Sequence, residues 1–399
     1  MSKLPVIILS SLLIAGCTVK KTDESTQSKL TAIESPAKAG SGEPYLFTDE
    51  KGKVYLSWIE KTEDKNEFKY ASLQNGKWSS PSLIDSGKDW FVNWADYPMM
   101  AVNGNDFIAH YLAKSGDGTY AYDVKVTSSI DDGKTWKASS TLHDDGKQAE
   151  HGFVSMLPYK DNFFIAWLDG RNTVMEGMEN HEGHHGQMSL RAAIVDKEGK
   201  KINEWELDNR TCDCCQTSAA ITESGPVVVY RDRSEDEIRD MSIVRFVNDA
   251  WTQPEVIHHD NWKIAGCPVN GPRVVAKGNF VAVAWYTVPE GKSKVNVIFS
   301  RDGGKSFGIP VQVDEGSAIG RVDIVLLDEH SVMASWMEGT TIKAVRVDAE
   351  GTKGSPVVIA SSSESRSSGF PQMTKSGNEL LFAWTDDKDK IVKVASLAL

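Results

Sequence analysis

Three cysteines crowd into the stretch RTCDCCQT, as Cys212, Cys214 and Cys215, and a fourth, Cys267, follows in a later loop. Thiols so spaced can do two kinds of chemistry. In an oxidising compartment four cysteines pair as two disulfides, with three connectivities open. A bridge between the adjacent Cys214 and Cys215 would be strained and redox-labile. The other chemistry is a metal centre, because Cys-x-Cys-Cys plus a fourth cysteine supplies four soft ligands. A disulfide staple is the expectation, with the metal site kept beside it. A second candidate ligand set lies in DGRNTVMEGMENHEGHHGQM, residues 169–188. Met175, Met178, His181, His184, His185 and Met188 recur there about every three residues, and thioether plus imidazole suits copper. The plainer alternative is a glycine-containing mobile lid.

A third chemistry is anion recognition. Arg171, Arg231, Arg233, Arg273, Arg321 and Arg366 stand at strand ends or in loops, where converging guanidinium groups could clamp a carboxylate or sulfate bidentately. Singly, each would be a surface ion pair. On the clamp reading, Arg231→Ala or Arg321→Ala weakens an acidic ligand and leaves folding nearly intact.

These residues need an export route and a scaffold. Residues 1–17, MSKLPVIILSSLLIAGC, read as a signal segment too short for a stable membrane span, and Ile14-Ala15-Gly16-Cys17 resembles a bacterial lipobox that lipidates Cys17. Residues 18–40 are expected to be a flexible tether and residues 41–399 a single domain, held at the cell envelope by the lipid and facing the periplasm or the outside. With 44 basic against 56 acidic residues the net charge is −12, which argues against a nucleic-acid partner. A monomer with a small-molecule or glycan ligand is expected.

One apolar strand ending near an aromatic recurs seven times, as VYLSWIE, DFIAHYL, NFFIAWLDG, PVVVYRD, NFVAVAWYT, SVMASWME and ELLFAWTD. Its markers, Trp58, Tyr111, Trp167, Tyr230, Trp285, Trp336 and Trp384, lie 48 to 63 residues apart, the length of a blade of four short strands. The pattern predicts an all-β, seven-bladed β-propeller, with six blades the alternative. The seventh copy lacks a fourth strand, which a segment near Leu30 to Ile33 could supply. All four cysteines after Cys17, and the three tryptophans outside the repeated slots, Trp90, Trp94 and Trp262, then fall on one face with the arginines.

Two hairpins carry a family resemblance. Ser129-x-Asp131-x-Gly133-x-Thr135-Trp136, and in conservative form Ser300-x-Asp302-x-Gly304-x-Ser306-Phe307, resemble the Asp-box of the sialidase (BNR repeat) superfamily. That resemblance implies a propeller whose box hairpins lie far from the channel mouth. The Arg-Ile-Pro motif of sialidases has no counterpart here. Sialidases use an arginine cluster and a Tyr nucleophile backed by Glu and Asp. By position, Tyr230 or Tyr286, Glu235, and Asp96 or Asp169 would fill those roles, and Asp96, His151, Gln216, Asn270 and Arg321 would ring the mouth. Three readings stand: a sialidase-like protein binding or hydrolysing an acidic carbohydrate, a copper-binding or redox lipoprotein, and a noncatalytic binding lipoprotein.

Overall fold

The computed structural model describes Met1 and residues 30–174 and 186–399. In it, seven antiparallel sheets of four or five strands follow one another along the chain. The innermost strands of blades 1 to 7 are Ser41–Thr48, Met99–Asn103, His151–Tyr159, Ser218–Ile221, Arg273–Lys277, Ala318–Leu326 and Gln372–Ser376. Blade 7 takes Glu379–Asp386 and Ile391–Ala398 from the end of the chain and its outer strand, Leu30–Ile33, from the beginning. Leu30 pairs with Leu397 and Ile33 with Val394, which closes the ring and removes an open sheet edge. The described residues of the expected tether, from 30 onward, therefore belong to the propeller.

Each marked strand is the second of its blade and is buried along nearly its whole length, as in Val54–Lys61 and Ser331–Glu338. A blade is covered on both faces by its neighbours, so this strand reads as a continuous apolar run without alternation. Seven apolar cores result, one at each seam between blades. Trp58 packs in the seam of blades 7 and 1, Tyr111 in 1 and 2, Trp167 in 2 and 3, Tyr230 in 3 and 4, Trp285 in 4 and 5, Trp336 in 5 and 6, and Trp384 in 6 and 7.

Each of these aromatics except Trp384 also carries a buried polar tip to a carboxylate. Trp58, Trp167 and Trp336 donate to Glu60, Asp169 and Glu338, two residues on and so on the same face of the strand. Tyr111, Tyr230 and Trp285 instead donate to Asp85, Asp208 and Asp260, from the outer part of the preceding blade. The indole Nε1 of Trp384 has no hydrogen-bond partner among the described residues.

The two Asp-boxes close their hairpins identically. Ser129 Oγ donates to Asp131 at 2.8 Å and accepts from the Gly133 N–H at 3.1 Å, while Thr135 donates to Asp131 from N–H and hydroxyl at 2.9 and 2.7 Å. Ser300, Asp302, Gly304 and Ser306 repeat the set at 2.7, 2.9, 2.9 and 2.6 Å. Gly133 is required twice: its φ is 74°, and a Cβ there would lie 2.1 Å from the Tyr70 hydroxyl. The turn then seats Trp136 edge-on against Tyr70 and Phe107, at the seam of blades 1 and 2.

Both box carboxyls sit at about 2, Asp131 through the Thr135 donors and Asp302 because the Ser306 bonds outweigh its partial burial. A depressed native pKa gives stability that is complete above the unfolded value near 4 and is lost as pH falls through the native value. Thermal melts of an Asp131→Asn, Asp302→Asn double variant are expected to fall below wild type at pH 7, with the gap closing from about pH 4 to pH 2. A gap that persists unchanged to pH 2 would contradict this account.

Candidate functional site

The loop face is built on a repeated irregularity. Three innermost strands break register at matching places, between Gly42 and Tyr45, Gly152 and Ser155, and Gly320 and Asp323. Each bulge puts a non-glycine residue in the left-handed region, Glu43 at φ 49°, Phe153 at 53° and Arg321 at 55°. Such bulges re-aim side chains at the rim of a sheet.

The expected ring of polar residues exists, but as a belt that ties blades together. The Phe153 N–H donates to Asp96 at 2.7 Å. Gln216 donates to the Ala95 carbonyl at 2.6 Å and accepts from the Gly271 N–H at 2.9 Å. Asn270 accepts from the Arg321 N–H at 2.7 Å, and Arg321 donates to Ser368 and to the Gly369, Glu364 and Ser365 carbonyls. Asp96, His151, Gln216, Asn270 and Arg321 are all buried.

The four expected catalytic side chains are held by different partners. The Tyr122 hydroxyl lies between Asp96 and Glu150, at 3.1 and 2.9 Å, and its one proton is shared between the two carboxyls. Burial pushes Asp96 up to about 7, against the lowering effect of the Phe153 and Tyr122 bonds, and Glu150 up to about 8. Asp169 is fully buried between Trp167 and Arg171. Tyr230 is the blade 4 seam aromatic, and the apolar core that encloses it makes it a packing residue. Glu235 is 94% exposed, 3.9 Å from Arg210. Tyr286 meets Trp262 edge-on, and its carbonyl accepts from Arg231.

Most of the arginines do not converge on a ligand. Arg231 lies over the buried Trp262 ring and donates to the carbonyls of Arg239, Asn270 and Tyr286. Arg171 pairs with Asp169, Asp145 and Glu204 beside the stacked imidazoles of His143 and His151. Arg233 pairs with Asp213 and Glu237. Arg273 stands at the channel, 3.7 Å from Asp323 and over the Tyr97 ring. That cavity, about 170 Å³, is lined from every innermost strand, by Tyr45, Met99, Ser155, Ser218, Arg273, Asp323 and Gln372 among others.

Arg366 is the exception. It is exposed, it has no hydrogen bond or ion pair from its guanidinium among the described residues, and it lies 6.0 Å from the half-buried Trp94 ring. Trp94 is stacked on Phe370, with Arg321 on the ring as well; Trp90 is stacked on Tyr111. Sequence reasoning missed Glu43. Its carboxyl has no partner among the described residues, and burial alone pushes it up to about 7. Glu43 belongs to the same corner: a Cβ on Gly42 would touch Thr385 at 3.8 Å, and one on Gly369 would lie 3.9 Å from Thr385 and 3.6 Å from the Trp94 carbonyl. Thr385 Oγ1 is itself buried without a partner among the described residues. The findable signal was the repeated Gly-x pair, Gly42-Glu43, Gly152-Phe153 and Gly320-Arg321.

Cys212, Cys214, Cys215 and Cys267 are free thiols in this structure. The tight turn after Thr211 gathers the first three sulfurs within 4.8 Å of one another, which favours a cluster over separate pairs. Cys212 and Cys215 are 3.6 Å apart, and Cys267 is exposed in the next loop. Met188 is completely buried in the core between blades 3 and 4. Met175, Met178, His181, His184, His185 and the lipobox Cys17 lie outside the described residues.

Fold and repeat together define a seven-bladed Asp-box propeller. Residues 66–383 match the BNR repeat-like domain, and the chain belongs to that family. Among solved structures it is similar to the NanB sialidase of Streptococcus pneumoniae, with a TM-score of 0.48 and 10% identity over 93% of this chain and 94% of that one. The α-L-arabinofuranosidase Arb93A of Fusarium graminearum gives 0.49 and 11% over 93% and 97%. An ulvan lyase bound to a sulfated saccharide gives 0.49 and 14% over 79% and 80%. At such identities the likeness is one of fold. No curated protein matches the sequence.

The belt corrects the expectation that the arginines can be removed without harm to folding. Arg231→Ala would strip three buried carbonyls of their donor and leave a cavity under Trp262, at a cost of about 3 kcal/mol or more. Denaturant titration is expected to show that loss for Arg231→Ala and Arg321→Ala, and a change within about 0.5 kcal/mol for the exposed Arg366→Ala. Equal stability of all three would refute the assignment.

Proposed function

We propose that this protein is an envelope lipoprotein, lipidated at Cys17, whose propeller binds an acidic carbohydrate at the corner of the mouth formed by blades 7, 1 and 2. The observation that carries the reading is the free Arg366 guanidinium beside Trp94, at the corner where Gly42 and Gly369 both approach Thr385 and Glu43 follows Gly42. An arginine offers a bidentate fork to a sugar carboxylate or sulfate, and an indole packs on the apolar face of a pyranose. A carboxyl that titrates near 7 donates a hydrogen bond when protonated, so Glu43 accommodates an anion below that pH and repels it above. The family's sugar-active members, such as sialidases, agree with a saccharide ligand. Binding is preferred to hydrolysis because Asp96 and Tyr230 hydrogen-bond between blades and Asp169 is fully buried between Trp167 and Arg171.

Calorimetric titration with a panel of acidic and neutral oligosaccharides is expected to find an acidic ligand whose affinity falls about 10- to 100-fold in Arg366→Met, the loss of one charge-assisted contact. Affinity should tighten as pH falls through about 7, and Glu43→Gln should remove that dependence. Binding of neutral sugars only, or an Arg366→Met variant indistinguishable from wild type, would overturn the reading. The anchor is tested separately. Cys17→Ala is expected to abolish incorporation of labelled fatty acid and release the protein from the membrane fraction, and unchanged labelling would exclude lipidation at Cys17.

A further inference from the structure

The carbohydrate reading leaves the thiol cluster on the mouth face unused. Cys212, Cys214 and Cys215 come from the loop between blades 3 and 4, and Cys267 stands in the adjoining loop between blades 4 and 5. The first loop is fixed before any ligand arrives: the Thr211 N–H donates to the Met188 carbonyl and the Cys212 N–H to the Arg231 carbonyl. Gln216, one residue past the cluster, fastens the same loop to Gly271. Three sulfurs are thus held in place on rigid backbone, with a fourth on a neighbouring segment.

We propose that Cys212, Cys214, Cys215 and Cys267 bind a single thiophilic closed-shell ion, Zn(II) or Cu(I). Four thiolates at a metal–sulfur distance of ~2.3 Å define a tetrahedron with edges of ~3.8 Å. The 3.6 Å between Cys212 and Cys215 is close to such an edge, and the three-cysteine set fits within a 4.8 Å span that only small side-chain shifts need contract. The surroundings supply the charge that such a centre requires. A tetrathiolate around a divalent ion carries two net negative charges. The buried Arg239 donates a guanidinium N–H to the Cys212 sulfur at 3.0 Å and is itself steered by Glu237. Outer-shell donors of this kind orient and stabilise coordinated thiolates. On binding, each ligating thiol releases its proton to solvent and no electron is transferred, so the step needs no oxidant. The ion would then lock the two loops together beside the inter-blade belt. This site is independent of the carbohydrate corner on blades 7, 1 and 2.

The two ions make different use of the fourth sulfur. Zn(II) closes its tetrahedron with Cys267, whereas Cu(I) is satisfied by the compact trio alone. The test uses the mature protein, reduced and handled without oxygen, and measures uptake of Zn(II) against a chromophoric chelator, of Co(II) by its thiolate absorption, and of Cu(I) against a copper(I)-selective chelator. One ion per chain is expected. Cys212→Ser and Cys215→Ser should each weaken binding on the order of 100-fold or more, and Arg239→Ala by about 10-fold, as outer-shell losses do. Cys267→Ser should weaken Zn(II) strongly and Cu(I) little. Because buried variants can misfold, alkylation of the wild-type thiols with and without metal gives a second readout, in which bound ion should slow modification of all ligating cysteines. The proposal fails if the reduced wild type takes up neither ion at micromolar concentration. It also fails if the folded Cys212→Ser, Cys214→Ser, Cys215→Ser variant binds as well as wild type, or if metal leaves the alkylation rates unchanged.

Discussion

The fold depends on one contact repeated around the ring: an aromatic side chain buried in the seam between two blades, with its polar tip capped by a carboxylate. Dispersion and apolar burial set the spacing of the blades, but an indole or phenol donor buried there without an acceptor costs free energy, and six of the seven seams supply one, Trp384 being the exception. The protein meets that need in two ways. Trp58, Trp167 and Trp336 use an acid two residues along their own strand, whereas Tyr111, Tyr230 and Trp285 borrow one from the blade before. The borrowed acids link neighbouring blades by side-chain hydrogen bonds as well as by packing. Tyr230, which looks chemically competent in isolation, is engaged in such a link, and Asp169 caps the indole of its own strand.

The same economy governs the mouth. Strand starts bring backbone carbonyls and N–H groups from several blades into a buried belt, and their hydrogen bonds have to be found locally. Arginine is well suited to that task, because one planar fork reaches several carbonyls at once. Arg231 and Arg321 spend their donors in this way and are shielded by Trp262 and Trp94. The chemistry that makes an arginine a good anion ligand also makes it a good clamp for an irregular backbone. The two uses are separated by burial alone.

The blade count was legible because the marker aromatics and the box hairpins recur at a period that only a four-stranded unit fits, and because a strand covered on both faces must be apolar throughout. The closing strand Leu30–Ile33 could be anticipated from the missing fourth strand of the last repeat. The site was less legible. Residue type does not tell whether Arg321 faces a ligand or four protein acceptors, and the clustering of Cys212, Cys214 and Cys215 as free thiols depends on the turn that follows Thr211. Glu43 escaped notice because glutamate in a polar loop is unremarkable until its Gly-x bulge is matched to those at Phe153 and Arg321.

Blade 7 combines the first described strand with the last three, and this imposes an order on folding during synthesis. A chain emerging from its N-terminus can assemble blades 1 to 6 in turn, each against the one before. The ring shuts only when Ile391–Ala398 is available to receive Leu30–Ile33. Until then the polypeptide is an open arc with an apolar seam exposed at either end, and Trp58 has no partner from blade 7. Synthesis thus passes through an incomplete, adhesive intermediate whose closure waits for the last strands of blade 7, and that interval is when this protein would most need the help of a chaperone.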